Sequence, residues 1–71
     1  MADHVIDGTR IWCDRAPYDV TASREEAELL VAHALKEPDA PPLLYFTMSK
    51  NLQTCSLVAT KISALEPRVV R

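Results

Sequence analysis

The stretch from Ser23 to Glu37, SREEAELLVAHALKE, constrains this chain more than any other, because its pattern fits one structure. Ser23 followed three residues later by Glu26 is a capping box. The hydroxyl accepts from the Glu26 N–H, and the carboxylate reaches back to the Ser23 N–H. Glu25 and Glu26 meet the positive end of the helix dipole, and Lys36 lies in the last turn, where the sign reverses. Ala27, Leu30, Val31, Ala34 and Leu35 fall at the i, i+3, i+4, i+7, i+8 spacing of a buried stripe. Pro38 disfavours helical geometry at Glu37 and ends the helix there. Arg24, Glu25, Glu28, Ala32 and Lys36 form the solvent face, with Leu29 and His33 on the flanks. Two small alanines in the stripe predict close approach to a sheet.

What surrounds the helix must be small. The chain has 71 residues, 48% hydrophobic and 25% charged, which suits one globular domain and argues against global disorder. A core of this size contributes about 3–5 kcal/mol net, so self-association is a source of further stability. No apolar run approaches the roughly 18 residues of a membrane-spanning helix. The first residues, MADHVIDGTR, lack a basic segment followed by an apolar one, so no signal peptide is expected and a cytoplasmic location is. Cys13 and Cys55 are too few for a disulfide scaffold and read as reduced strand residues, with a disulfide or a shared metal as alternatives.

Before the helix, Asp7-Gly8 between apolar residues suits a type I′ hairpin turn. TRIWCD, Thr9 to Asp14, reads as a strand with Thr9, Ile11 and Cys13 on one face and Arg10, Trp12 and Asp14 on the other. Arg15-Ala16-Pro17 reads as a turn, and Tyr18 to Thr21 as a short second strand. After the helix, Pro38 to Pro42 is a stiff connector. LLYFTM, Leu43 to Met48, is apolar on both faces and reads as a central strand. Ser49-Lys50-Asn51 is a turn. Gln53 to Ile62 reads as one long strand that pairs with LLYFTM in a hairpin covering about residues 43–62. Pro67 interrupts it, leaving Arg68 to Arg71 as a tail. The expected fold is a single α+β domain over residues 1–71. One helix packs on one face of a three- or four-stranded, mainly antiparallel sheet, in the order β(β)αββ.

The sequence is poor in catalytic signals. Its one glycine excludes glycine-rich phosphate loops, and no CxxC, HxxxH or HExxH is present. His4, Cys13, His33 and Cys55 are too scattered to suggest a zinc site. A cysteine with His33 as base is available by arithmetic only. No catalytic residue, cofactor or metal is therefore expected, and the chain reads as a non-enzyme.

Charge is unevenly placed. Met1 to Asp39 holds nine acids and four bases, and Ala40 to Arg71 one acid and four bases, so net −5 is joined to net +3. Lys50, Lys61, Arg68 and Arg71, with Tyr45 and Phe46, suggest a platform for single-stranded nucleic acid. Tyr45 and Phe46 lie on opposite faces of one strand, however, and overall acidity weakens phosphate attraction. Protein binding is the favoured expectation: a small non-enzymatic interaction module, an inhibitor or modulator of another protein. In size and style the chain resembles the small stand-alone proteins of phages and mobile elements. A nucleic-acid module and a housekeeping domain are the alternatives. The candidate partner surface is Trp12, Glu25, Glu28, Tyr45, Lys50, Val58 and Lys61. One helix covers one sheet face, so Trp12, one of the Tyr45/Phe46 pair, and Val58 or Leu57 are expected on the other, which predicts a homodimer joined through the sheet.

Overall fold

The computed structural model describes residues 5–37 and 43–70. Its elements are β1 (Val5–Cys13), β2 (Ala16–Val20), α1 (Arg24–Lys36), β3 (Leu43–Thr47), β4 (Thr54–Val58), a 3-10 turn (Ala59–Lys61) and β5 (Ile62–Val70). The chain is an α+β fold with one helix packed against antiparallel sheet, in the expected β-β-α-β-β order with a fifth strand added. One sheet has the order β2-β1-β5 and the other pairs β3 with β4. An antiparallel bridge between Val20 and Met48 joins them, flanked by Thr21 N–H to Thr47 O at 2.9 Å and Ser49 N–H to Asp19 O at 3.0 Å.

The alternation of TRIWCD is realised as expected. Thr9, Ile11 and Cys13 point inward and are buried, while Arg10 and Asp14 are exposed and Trp12 is half-buried. Ile11 and Cys13 join Val20, Ala27, Phe46 and Leu57 in one core that both sheets share. Thr9 is the one buried polar residue among those described, and its hydroxyl donates to the Ala22 carbonyl at 2.8 Å. That bond removes the penalty of a buried hydroxyl and holds the chain one residue ahead of the helix cap.

Helix α1 begins as its capping pattern requires. Ser23 is extended and its hydroxyl accepts from the Glu26 N–H at 3.2 Å. It ends at an extended Glu37, as a following proline demands. The buried stripe is narrower than the spacing suggests. Ala27 is buried and Val31 and Ala34 are half-buried, but Leu30 and Leu35 are exposed. The line of small residues lets the helix lie close to the sheet, and the larger leucines are left on its two shoulders. Leu29, expected on a flank, is 72% exposed and lies among solvent-facing residues.

Four expectations about turns and strand ends are corrected. Asp7-Gly8 is not a hairpin turn. Val5–Cys13 is one strand with a register shift between Ile6 and Gly8, where Asp7 is the extra residue of a bulge. Gly8 is needed there for a steric reason: a Cβ would sit 1.9 Å from the Val20 carbonyl oxygen. The first hairpin turns at Asp14-Arg15 rather than Arg15-Ala16-Pro17. Both residues have positive φ, 54° and 73°, as a two-residue type I′ turn requires, and Cys13 pairs with Ala16. Gln53 to Ile62 is not one strand, because the chain turns a corner through Ala59–Lys61. The tip of the first hairpin fixes that corner: Asp14 N–H donates to Lys61 O at 3.1 Å, and the Cys13 thiol to Val58 O at 3.8 Å. Finally, Pro67 does not interrupt and Arg68 to Val70 is not a tail. Both belong to β5, which pairs antiparallel with β1. Proline is tolerated because β5 is an edge strand. The proline-rich connector and Arg71 lie outside the described residues.

The contact at Gly8 gives a direct test. Gly8→Ala must displace backbone rather than a flexible side-chain tip, so a loss of about 1–3 kcal/mol or more is expected. For a domain of this size each kcal/mol lowers Tm by about 4–8 °C. Urea denaturation of the variant checks it, and unchanged stability would refute the close approach of β1 to β2.

Candidate functional site

No helix among the described residues is long and apolar enough to cross a membrane. The described residues enclose no pocket. Three outward faces are available.

The first is the outer face of the three-stranded sheet. Register sets Trp12 between Pro17 on β2 and Ala64 on β5, and Arg10 between Asp19 and Glu66. Asp19 is the focus of charge. It accepts from Arg10 Nε at 2.8 Å and Nη2 at 3.4 Å, and Arg68 Nε lies 3.6 Å away. The Arg10 hydrogen bond holds the Asp19 carboxyl below its ordinary range, and the charges of Arg10, Arg68 and Lys50 add to this against the opposing effect of partial burial. Asp19 in turn raises the Arg10 guanidinium.

The second is the outer face of the β3–β4 hairpin. Leu43 pairs with Val58, Tyr45 with Ser56 and Thr47 with Thr54. Tyr45 is 67% exposed, whereas its neighbour Phe46 is buried in the core, which settles which of the two aromatics faces water. The third is the solvent side of α1, with Glu25, Glu28, Leu29, Ala32 and Lys36 exposed and Glu28 bound to Arg24 at 2.9 Å.

The residues singled out from sequence therefore divide. Trp12 lies on one sheet, Tyr45 and Val58 on the other, and Glu25 and Glu28 on the helix. The basic residues divide as well. Lys50 and Arg68 act on Asp19, while Lys61 Nζ is 3.9 Å from Asp14 at the hairpin tip. Arg10 and Asp19 are not among the residues that the sequence points to, where they sit in the acidic half. The signal was the Asp14-Arg15 turn, since a two-residue turn there sets Arg10 opposite Asp19.

Both cysteines are free. Cys13 belongs to the core, and partial burial pushes the Cys55 thiol up. Among the described residues no group of three or more His, Cys, Asp or Glu is placed to hold a metal, and no hydrogen bond joins either thiol to the exposed His33. His4 lies outside the described residues.

Comparison with family models, with curated proteins and with solved structures gave no match to this chain.

Two measurements follow from this chemistry. Thiol titration should count two free thiols after unfolding. In the native protein Cys55 should react before the buried Cys13, both slowly at neutral pH; a mass two daltons short without reductant would contradict this. For Asp19 the lowered folded pKa means that its charge stabilises the fold above the unfolded carboxyl range, about 3.9. That contribution is lost as pH falls through the lower folded value. Wild type should thus be more stable than Asp19→Asn at pH 7, with the gap closing at acid pH. Thermal melts from pH 7 to pH 2 decide it, and a gap that persists unchanged at the lowest pH would refute the assignment.

Proposed function

We propose that this chain is a small protein-interaction module without catalytic activity, an inhibitor or modulator of another protein, and that α1 is its binding element. One observation carries the reading. All three leucines of α1 are exposed, Leu29 at 72%, Leu35 at 55% and Leu30 at 40%, while its buried line is made of Ala27, Val31 and Ala34. A single exposed leucine needs no explanation. A helix that turns its largest apolar residues outward on several sides is the composition of one that becomes buried.

The charges say what would bury it. Glu25, Glu26, Glu28 and Glu37 are exposed along α1 and its C-terminal cap and outnumber the exposed Arg24, which binds Glu28, and Lys36. A partner surface with apolar sockets among basic groups complements those sides, with leucine anchors inside and charge at the rim. The nucleic-acid alternative has less support. Arg10 and Arg68 share Asp19, Lys61 is paired with Asp14, and the exposed Tyr45 stands on the other sheet.

Affinity capture from cells that make this protein provides the test. Wild type should recover a stoichiometric protein partner, and Leu29→Glu with Leu35→Glu should lose it at least tenfold while circular dichroism keeps its helix signal. Recovery of nucleic acid without protein would replace this reading with the alternative. Undiminished capture by the double variant would move the binding face elsewhere.

A further inference from the structure

We propose that two copies of this chain join edge to edge through β4, antiparallel about a twofold axis at Ser56. The proposal rests on the reading of the chain as an interaction module but uses a surface separate from the outward leucines of α1.

Unpaired strand edges invite pairing, and proteins blunt them with proline, charge, bulges or cover. Such devices stand on the other edges. β5 carries Glu66, Pro67 and Arg68 and has a register shift where Ser63 is the extra residue. β2 carries Pro17 and Asp19, and its end is closed by the Val20–Met48 bridge. β3 is held at its end by that same bridge, and α1 packs against it. β4 reads Thr54-Cys55-Ser56-Leu57-Val58, with no charge, no proline and no bulge; among the described strands it pairs with β3 alone, and the tip of the first hairpin covers its edge only at the Val58 end.

The hydrogen-bond phase of the hairpin shows which groups that edge offers. Met48 N–H donates to Gln53 O at 2.7 Å, so these two form a hydrogen-bonded pair. Pairs alternate along an antiparallel ladder. The register therefore makes Phe46–Cys55 and Leu44–Leu57 hydrogen-bonded pairs, and leaves Tyr45–Ser56 a non-hydrogen-bonded one. The N–H and C=O of Ser56 thus point away from β3. The Val58 carbonyl, two residues on, does the same and meets the Cys13 thiol.

A second copy fits this edge for two reasons. In a twofold pairing each residue near the axis faces its own kind, so a charge there would meet a like charge; β4 has none. With the axis at Ser56, the two serines exchange both backbone bonds and Thr54 lies opposite the partner copy's Val58, whose carbonyl has a second lone pair beside the one that the Cys13 thiol of its own chain uses. The row across the joined sheet then reads Tyr45, Ser56, Ser56, Tyr45, and two small serines leave room for the exposed phenol rings to lean over the seam. Leu43 and Val58, paired beside that row, extend the apolar strip.

The interface is a weak one. Five residues of edge bury less than the about 1,200–2,000 Å² of a standard stable interface. A dimer populated at about 100 μM and dissociating near 1 μM is expected.

The decisive experiment is a cross-link. Residues in a hydrogen-bonded antiparallel pair have Cα atoms about 5.5 Å apart, inside the disulfide range of about 4.4–6.8 Å. Ser56→Cys exposed to oxidised glutathione should form a covalent dimer, each pair of thiols giving two protons and two electrons to one glutathione disulfide. It should do so at least tenfold faster than wild type or Glu66→Cys on β5. Sedimentation equilibrium gives the reversible counterpart: wild type should exceed the one-chain mass of 7.9 kDa at high concentration, and Ser56→Lys should not. Ser56 is exposed, so neither change disturbs the core. A one-chain mass at about 100 μM, or Ser56→Cys linking no faster than Glu66→Cys, overturns the proposal. So does a dimer that Ser56→Lys leaves intact, as when another face or another protein's strand is the true occupant. The helix reading fails separately: a Ser56-dependent dimer that captures no protein partner refutes that reading alone.

Discussion

Strand β1 carries a constraint that the other elements meet. It is hydrogen-bonded to β2 on one side and to β5 on the other. Its inward residues, Thr9, Ile11 and Cys13, are almost fully removed from water. Gly8 lets the Val20 backbone approach it more closely than any side chain would allow. The Thr9 hydroxyl fixes Ala22, and Ser23 then caps α1, so the direction in which the helix leaves the sheet is set from β1. Fully buried Ile11 and Val20 complete the centre of the core. The helix is the plainest feature of the sequence, yet it contributes one fully buried residue, Ala27, and depends on the sheet for its position.

What was legible follows from this division of labour. Local rules showed the helix and its cap, because Ser23, Glu26 and Pro38 act within a few residues of themselves. Alternation showed the two faces of β1, and two strand-like runs around the polar Ser49-Lys50-Asn51 turn showed the hairpin of β3 with β4. The corner after Val58 was hidden, because a 3-10 turn of Ala59-Thr60-Lys61 needs neither glycine nor proline. It is held from outside by Cys13 and Asp14, more than 40 residues away in the chain. The fifth strand was hidden for the same reason: Pro67 signals a break locally, and only its pairing with Thr9 on an edge makes it a strand residue. Asp7-Gly8 was misleading in the opposite sense. Its glycine answers a tertiary contact with Val20 rather than a turn. The candidate surface was legible in its residue types but not in its grouping. Trp12, Tyr45 and Val58 are all outward, but alternation within a strand cannot say which sheet a strand joins.

The outward distribution of apolar groups is the observation on which the proposed interaction role rests. A chain of 71 residues has few large side chains to place. Here Phe46 and Leu57 go to the core, while Tyr45, Leu43, Leu52 and the three helix leucines are exposed. Burying them would add transfer free energy of about 25 cal/mol per Å², which matters in a domain with so small a core. Retaining them at the surface is costly for solubility and of use to a protein that binds another. The charge arrangement is consistent with this. Arg10 and Arg68 meet Asp19 on the sheet and Lys61 meets Asp14 at the hairpin tip, whereas Glu25 and Glu26 meet no cation in the described contacts.

The two proposed surfaces would also support one another. α1 packs on β1, β3, β5 and the 3-10 turn, and makes no comparable contact with β4. A dimer built on the β4 edge would therefore leave the outward leucines of both helices free. Such a dimer presents two copies of one weak binding face at a fixed separation. Against a partner that is itself twofold, the second engagement becomes intramolecular, and avidity can exceed the single-site affinity by about 10²–10⁴-fold. Against a monomeric partner it gains nothing. A weak self-association thus carries a functional consequence: partner affinity would rise steeply with the concentration of this chain, over the range in which the dimer forms.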